Sequence, residues 1–199
     1  MKDLQAMAQI LRRRRFQCTV FETAQQAKEA ALELIPREAR VGFGGSVTVQ
    51  NMKLYEDMAA RGQQVYWHWQ VEKEQMDTAR KQAMDADWYL CSANALTERG
   101  DIVNTDGSGN RVASMFYGPK NVLFIIGKNK LVEDYEAAVQ RIQTVAAPLN
   151  AKRLGTKTPC AITGQCGECF KMCHITGVLH APTSGRTMHV FLVNEDLGY

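Results

Sequence analysis

The stretch RVGFGGSVTV, residues 40–49, decides the fold. Arg40-Val41-Gly42-Phe43 is short and apolar enough to be a strand. Gly44-Gly45-Ser46 then breaks it, and helical spacing takes over from about residue 48 to 61, with Met52, Tyr55, Met58 and Ala59 on one face and Gly62 as the stop. A strand that opens through glycines into a helix is the first half of a strand–helix–strand crossover.

The same alternation continues outward. Toward the N-terminus, residues 2–15 and 22–35 read as two helices, the second closed by Pro36. Toward the C-terminus, Gln64–Trp69 is strand-like, 72–84 helical and Trp88–Cys91 a short buried strand. Val122–Ile126 is an apolar β-branched strand, Glu133–Ala147 a helix ended by Pro148, and Thr187–Val193 a final strand. The turn chemistry of Thr105-Asp106-Gly107-Ser108-Gly109-Asn110, between Ile102-Val103 and Val112-Ala113, predicts a hairpin. The expected fold is therefore α/β: a mostly parallel central sheet with helices on both faces, N-terminal helices over 1–35, one β-hairpin insertion, and a Cys-rich loop over 155–180. No linker or repeat divides the 199 residues, so 1–199 is expected to be a single domain.

Composition narrows the function. A net charge of +3 is too small to suggest nucleic acid as a partner. The Arg12–Arg15 block follows Met7, Ile10 and Leu11 and reads as the solvated end of a helix. No apolar run reaches the roughly 18 residues that a membrane span needs. The arginines of MKDLQAMAQILRRRR come after its apolar residues, unlike a secretion signal, so the expected location is cytoplasmic.

Ligands of open α/β sheets gather beyond the carboxyl ends of strands. Gly44, Gly45, Ser46 and Thr48 occupy such a position. Glycines admit a ligand to the backbone, and hydroxyls beside free N–H groups at a helix start suit an anion. Ser46 as a plain N-cap is the alternative. Glu98, on the polar stretch after Trp88–Cys91, is the candidate general base or nucleophile; the alternative is a solvated hairpin glutamate. Lys120, Lys128 and Lys130 flank the next strand, where one of them could face an anion. Tyr66, Trp67, His68 and Trp69 read as packing or as a pocket wall.

Cys160, Cys166, Cys169 and Cys173 fall within fourteen residues, in KTPCAITGQCGECFKMCH, with spacing C-x5-C-x2-C-x3-C. Clustered thiolates are soft ligands. The pattern is compatible with an iron–sulfur cluster, with zinc, or with reduced or disulfide-paired thiols in a structural loop. Cys18 and Cys91 stand alone and read as packing residues.

Taken in order, VGFGGSVT, ADWYLCSANALTERGDIVNTDGSGNRVASMFYGPKNVLFIIGKNK, RIQTVAAPLNAKRL, CAITGQCGECFKMC and HVFLVNEDLGY resemble the lactate-utilisation (LUD) domain family, from about residue 40 to the C-terminus. The resemblance implies a fold similar to ribose-5-phosphate isomerases, glucosamine-6-phosphate deaminases and CoA transferases. It also implies a phosphate- or carboxylate-contacting glycine loop and chemistry from acidic residues such as Glu98 or Asp106. Larger members act in L-lactate oxidation within iron–sulfur complexes; this chain has one cysteine cluster where those have paired ferredoxin-type sets. The expected function is thus a LUD-type protein of an organic-acid redox system. It would bind a small anion at the glycine loop, carry a metal or redox site on the cysteine loop, and work with a redox partner protein or as a homo-oligomer. The alternatives are an isomerase, hydrolase or transferase acting on a phosphorylated or CoA-like substrate, and a non-catalytic accessory subunit.

Overall fold

Six parallel strands form the central sheet. The structure, a computed structural model, describes residues 3–167, 169 and 172–199. The elements are α1 (Leu4–Arg13), β1 (Gln17–Phe21), α2 (Ala24–Leu34), β2 (Val41–Phe43), α3 (Val47–Asn51), α4 (Leu54–Ala60), β3 (Val65–Tyr66), α5 (Met76–Met84), β4 (Trp88–Cys91), β5 (Ala95–Thr97), β6 (Ile102–Asp106), α6 (Asn110–Phe116), β7 (Asn121–Gly127), β8 (Leu131–Val132), α7 (Tyr135–Arg141), α8 (Ala147–Arg153), α9 (Pro159–Thr163), β9 (Ile175–Leu179) and β10 (Thr187–Val193). The sheet runs β1-β10-β7-β4-β2-β3, and β8-β5-β6-β9 form a second, smaller sheet. Among the described residues no helix is long and apolar enough to cross a membrane.

The central strands read as unbroken apolar runs because both of their faces are covered. Alternation sends Tyr89, Cys91, Val122, Phe124, Ile126, Val190 and Leu192 to one core, under α1 with Leu4, Met7 and Leu11. It sends Trp88, Leu90, Leu123, Ile125, Phe191 and Val193 to the other, with Ala27 and Ala31 of α2 and Met58 of α4. At Gly42 the α5 backbone comes so close that a Cβ would lie 2.3 Å from the carbonyl oxygen of Ala83. Only glycine permits that approach.

Several expectations are corrected. The two N-terminal helices are separated by a strand: β1 pairs with β10 at the sheet edge. Of the expected helix over 2–15, residue 2 lies outside the described residues. The helix expected over 48–61 is two helices broken at Lys53, whose φ is 55°. The hairpin exists, but it joins β5 to β6 through residues 98–101. The turn at 105–110 instead starts α6, because the Asp106 carboxylate accepts from the backbone N–H of Val112 at 2.9 Å. Pro148 does not end its helix. A π-helical turn, Ile142–Ala146, precedes it, and α8 continues through the proline. Widening the helix there accommodates a residue that cannot donate to the preceding turn.

Candidate functional site

The strand order fixes where the site lies. Chain leaving β2 runs to β3 on one side, while chain leaving β4 runs on to β7 on the other. Loops that diverge from adjacent strands open a crevice between their carboxyl ends. The register sets the ends of β2 and β4 side by side, with Phe43 paired to Leu90, and Leu90 pairs with Leu123 of β7, which runs on to Gly127. A cavity of about 670 Å³ opens there.

Three residues, one from the segment that follows each of β2, β4 and β7, meet on its floor. Thr48 follows β2, Ser92 follows β4 and Lys130 follows β7. Lys130 Nζ lies 3.0 Å from Thr48 Oγ1 and 2.9 Å from Ser92 Oγ. Both hydroxyl protons are already committed. Ser92 donates to the Ile125 carbonyl at 2.6 Å, and Thr48 to the Leu197 carbonyl at 3.2 Å. The lysine is only 2% exposed. Burial, then the positive charges of Arg141 and Arg111, push its pKa down to about 7, against a small upward pull from Cys91.

The cavity wall is electropositive. Arg80, Arg111, Lys130 and Arg153 line it, and among the described residues Asp106 is the only acidic side chain that does so. Asp106 is spoken for: it takes Arg111 Nε at 2.8 Å through Oδ1 and the Val112 N–H through Oδ2. Arg111 is further held by the Asn94 side chain at 3.0 Å and the Thr105 carbonyl at 2.9 Å. Arg153 lies over the Trp69 ring at 4.1 Å and donates to Tyr199 Oη at 2.9 Å. Among the described residues Arg80, Lys130 and Arg153 have no carboxylate partner, and Arg80 Nε is buried without a hydrogen bond. His68, 7% exposed, also lines the cavity with its Nδ1 unpartnered. Burial first, then Arg80 and Arg153, lower its pKa to about 4, so it is neutral at physiological pH.

The structure brings most of the expected binding residues here. Gly45, Ser46 and Thr48 line the cavity, and Gly44 sits just behind the wall against Tyr89 and Cys91. Ser46 caps α3 by accepting from Val49 N–H at 3.3 Å, and Thr48 is a ligand of Lys130. Glu98 is not brought here. It is exposed on the β5–β6 turn, held at its backbone N–H by the Val132 carbonyl, and it is not part of the cavity lining. The expectation that it faces the glycine loop is corrected: the polar stretch after β4 leads into a second sheet that carries residue 98 away from the crevice.

The cysteine loop reaches the rim through Met172, Cys173 and His174. His174 N–H donates to the Asp106 carbonyl, and its Nδ1 is 2.9 Å from the Gly107 carbonyl. Cys160 is buried in α9, Cys166 and Cys173 are exposed and Cys169 is partly covered. Glu168, Phe170 and Lys171 of the loop lie outside the described residues. The thiols are near enough to perturb one another: burial and then Cys166, Cys160 and Cys169 raise the pKa of Cys173. Four soft donors suit iron–sulfur or zinc chemically. Among the described residues, though, no three Cys, His, Asp or Glu side chains are gathered as a metal site.

A mostly parallel α/β sheet with an electropositive cavity at its switch point defines the architecture as open-sheet α/β. Within it, this chain belongs to the LUD domain family, whose profile matches residues 4–193. It is similar in fold to the crystal structure of a DUF162 family protein from Deinococcus radiodurans, with TM-score 0.56 and 14% identity over 96% of this chain and 95% of that one. None of the curated proteins compared matches it.

Lys130, Ser92, Arg80 and Arg153 are the site residues that sequence reasoning missed or left unspecific. The usable signal for Lys130 was its place directly after an apolar strand, in GKNK.

Proposed function

We propose that this LUD-domain protein binds a small anionic metabolite, an organic acid first, in the cavity between the carboxyl ends of β2, β4 and β7. One observation carries the reading. Arg80, Lys130 and Arg153 line the cavity with no carboxylate partner among the described residues, and positive charge adds to burial in depressing Lys130 and His68. A site that disfavours added positive charge favours a negative ligand. Arg80 and Arg153 would meet the anion above the floor that Lys130 forms. Trp69 and the π-helical wall would shield it from water.

The cysteine loop adds redox-capable thiols at the rim of the same cavity. In an organic-acid redox system of the lactate type these would cycle between thiol and disulfide with a redox partner protein. Thiol counting after mild oxidation, with and without ligand, tests this; a thiol count that never changes removes it. A second reading has its own support. A three-carbon acid fills little of a cavity of about 670 Å³, which lies within the size range of sites for larger ligands, roughly 300–1,000 Å³. A phosphorylated or CoA-like substrate would use that volume.

Titration calorimetry with lactate, pyruvate, inorganic phosphate and an acyl-CoA separates the two readings. Saturable binding of an acid, weakened at least about tenfold in Arg153→Gln, supports the first. Binding of the acyl-CoA alone supports the second. Absence of any saturable anion binding rejects both.

A further inference from the structure

The hydrogen-bond inventory around Lys130 has a chemical consequence. Thr48 Oγ1 and Ser92 Oγ have each given their only proton to a backbone carbonyl, those of Leu197 and Ile125. Toward the lysine they can only accept. A neutral amine has two hydrogens and one lone pair. Its two hydrogens go to Thr48 and Ser92, and the lone pair has no hydrogen to accept from either. An ammonium would have a third N–H with no protein acceptor in the contacts described. The site is therefore built around an amine that presents a lone pair. No carboxylate among the described residues pairs with it, and Arg111 and Arg141 oppose its protonation. The amine lines a cavity whose other cations, Arg80 and Arg153, can hold an anionic group.

We propose that Lys130 is the nucleophilic amine of an imine-forming site, whose ligand is a carbonyl compound bearing an anionic group. The inference rests on the cavity being the anion site proposed above. The step is balanced without an added oxidant or reductant. The lone pair attacks the carbonyl carbon, and a C–N bond forms. The carbonyl oxygen then leaves as water, taking both amine hydrogens, and a C=N bond remains. Lysine amines are activated for this chemistry by desolvation and by neighbouring cations, and both are found here. The arginines would hold the carboxylate or phosphate, with the carbonyl carbon directed to the floor. Imine formation at a fixed lysine labilises the bonds next to the former carbonyl, which suits proton abstraction or carbon–carbon bond chemistry.

The experiment uses two probes on the intact protein at pH 7.5: pyruvate for a carboxylate and dihydroxyacetone phosphate for a phosphate. Each is incubated with and without cyanoborohydride, which reduces an imine to a stable secondary amine. The adduct is then located by peptide mass mapping, and binding of each probe is measured in parallel without reductant. The expected result is an adduct at Lys130 exceeding that at the exposed Lys128 by at least about tenfold, because far more of a depressed amine is neutral at this pH. The adduct should persist in Lys128→Met and vanish in Lys130→Met. Because the site is mapped in the wild-type protein, the result stands even if Lys130→Met folds poorly. The probe that labels more strongly identifies the anionic group. Saturable binding of either probe with no enrichment of label at Lys130 overturns the imine and leaves the anion site standing. Neither binding nor label at Lys130 overturns both.

Discussion

Replacing Lys130 with methionine should stabilise the protein, and by an amount that depends on pH. The folded amine titrates at about 7, against its ordinary value of 10.5. Below pH 7 both the folded and unfolded states carry the proton, and the whole cost of burying that charge falls on the native state. Above 7 the native amine is already neutral. As pH climbs toward 10.5 the unfolded chain also sheds its proton, and the cost disappears. Stability of the wild type attributable to this group therefore rises between pH 7 and 10.5. With about 1.36 kcal/mol per pH unit, the cost is roughly 5 kcal/mol at pH 6 and roughly 2 kcal/mol at pH 9. Methionine has a similar length and no charge to bury, but it forfeits the bonds to Thr48 and Ser92, at ~1 kcal/mol each. The net gain for Lys130→Met is about 3 kcal/mol at pH 6 and close to zero at pH 9.

Urea denaturation of both proteins at pH 6, 7.5 and 9 measures this directly. All other titrating groups are common to both and cancel in the difference. At about 2–4 °C per kcal/mol for a chain of this size, the gain at pH 6 should also raise Tm by roughly 6–12 °C. A variant less stable than wild type at pH 6 would refute the reasoning. So would a difference that does not shrink as pH rises, which would mean that the amine keeps its proton in the fold.

Three further outcomes follow from the same geometry. Gly42→Ala should cost about 2–3 kcal/mol or more in chemical denaturation, because its Cβ meets the backbone of α5 at 2.3 Å; Gly45→Ala, whose Cβ meets only the Trp69 ring edge at 3.1 Å, should cost less. Arg153→Gln should raise the His68 pKa from about 4 by removing one of the charges that depress it, while burial, the larger cause, keeps it below the ordinary histidine value; NMR titration of the imidazole reads this, and an unmoved pKa would count against the electropositive wall. In native protein at neutral pH, Cys166 and Cys173 should alkylate first but more slowly than a free thiol, since burial and their neighbours raise both; Cys18 and Cys91, buried and pushed up to about 12, should react only after unfolding, as mass-mapped labelling can check.

The sequence was most readable where both faces of a strand are covered. Trp88–Cys91 and Val122–Ile126 are continuous apolar runs, Thr187–Val193 is apolar apart from Thr187 and His189, and each is a central strand. β1 was hidden because QCTVF is an edge strand with only Cys18 fully buried, between two strongly helical segments. The turn at 105–110 misled because glycine-rich turn chemistry serves a hairpin and a helix start equally well. Which one forms depends on whether Asp106 finds Arg111 and the Val112 N–H. The glycine loop was legible from its local strand–turn–helix pattern. Lys130 was not, because its partners are 82 and 38 residues away in sequence. That meeting depends on β7, β4 and β2 being neighbours, and local periodicity carries no information about strand order.

The same dependence on order shows in how the cavity floor is tied together. Each hydroxyl on the cavity floor is tied to backbone that belongs to a different element. Ser92 is fixed by β7 through Ile125, and Thr48 by the C-terminal segment through Leu197. That segment is itself pinned by Asn129, which accepts from Leu197 N–H at 3.1 Å and donates to the Gly198 carbonyl at 3.3 Å. Asn129 adjoins Lys130, and Arg141 donates to its carbonyl at 3.0 Å. The connections close on themselves: the residue beside the lysine holds the tail, the tail orients Thr48, and Thr48 accepts from the lysine. A neutral amine in so closed a network cannot be stabilised by moving a counterion to it, so its protonation responds chiefly to what enters the cavity. An anion held by Arg80 and Arg153 would place negative charge near the lysine and raise its proton affinity, whereas a carbonyl would consume its lone pair. Ligand charge and ligand reactivity thus act on one atom, Lys130 Nζ, in opposite directions.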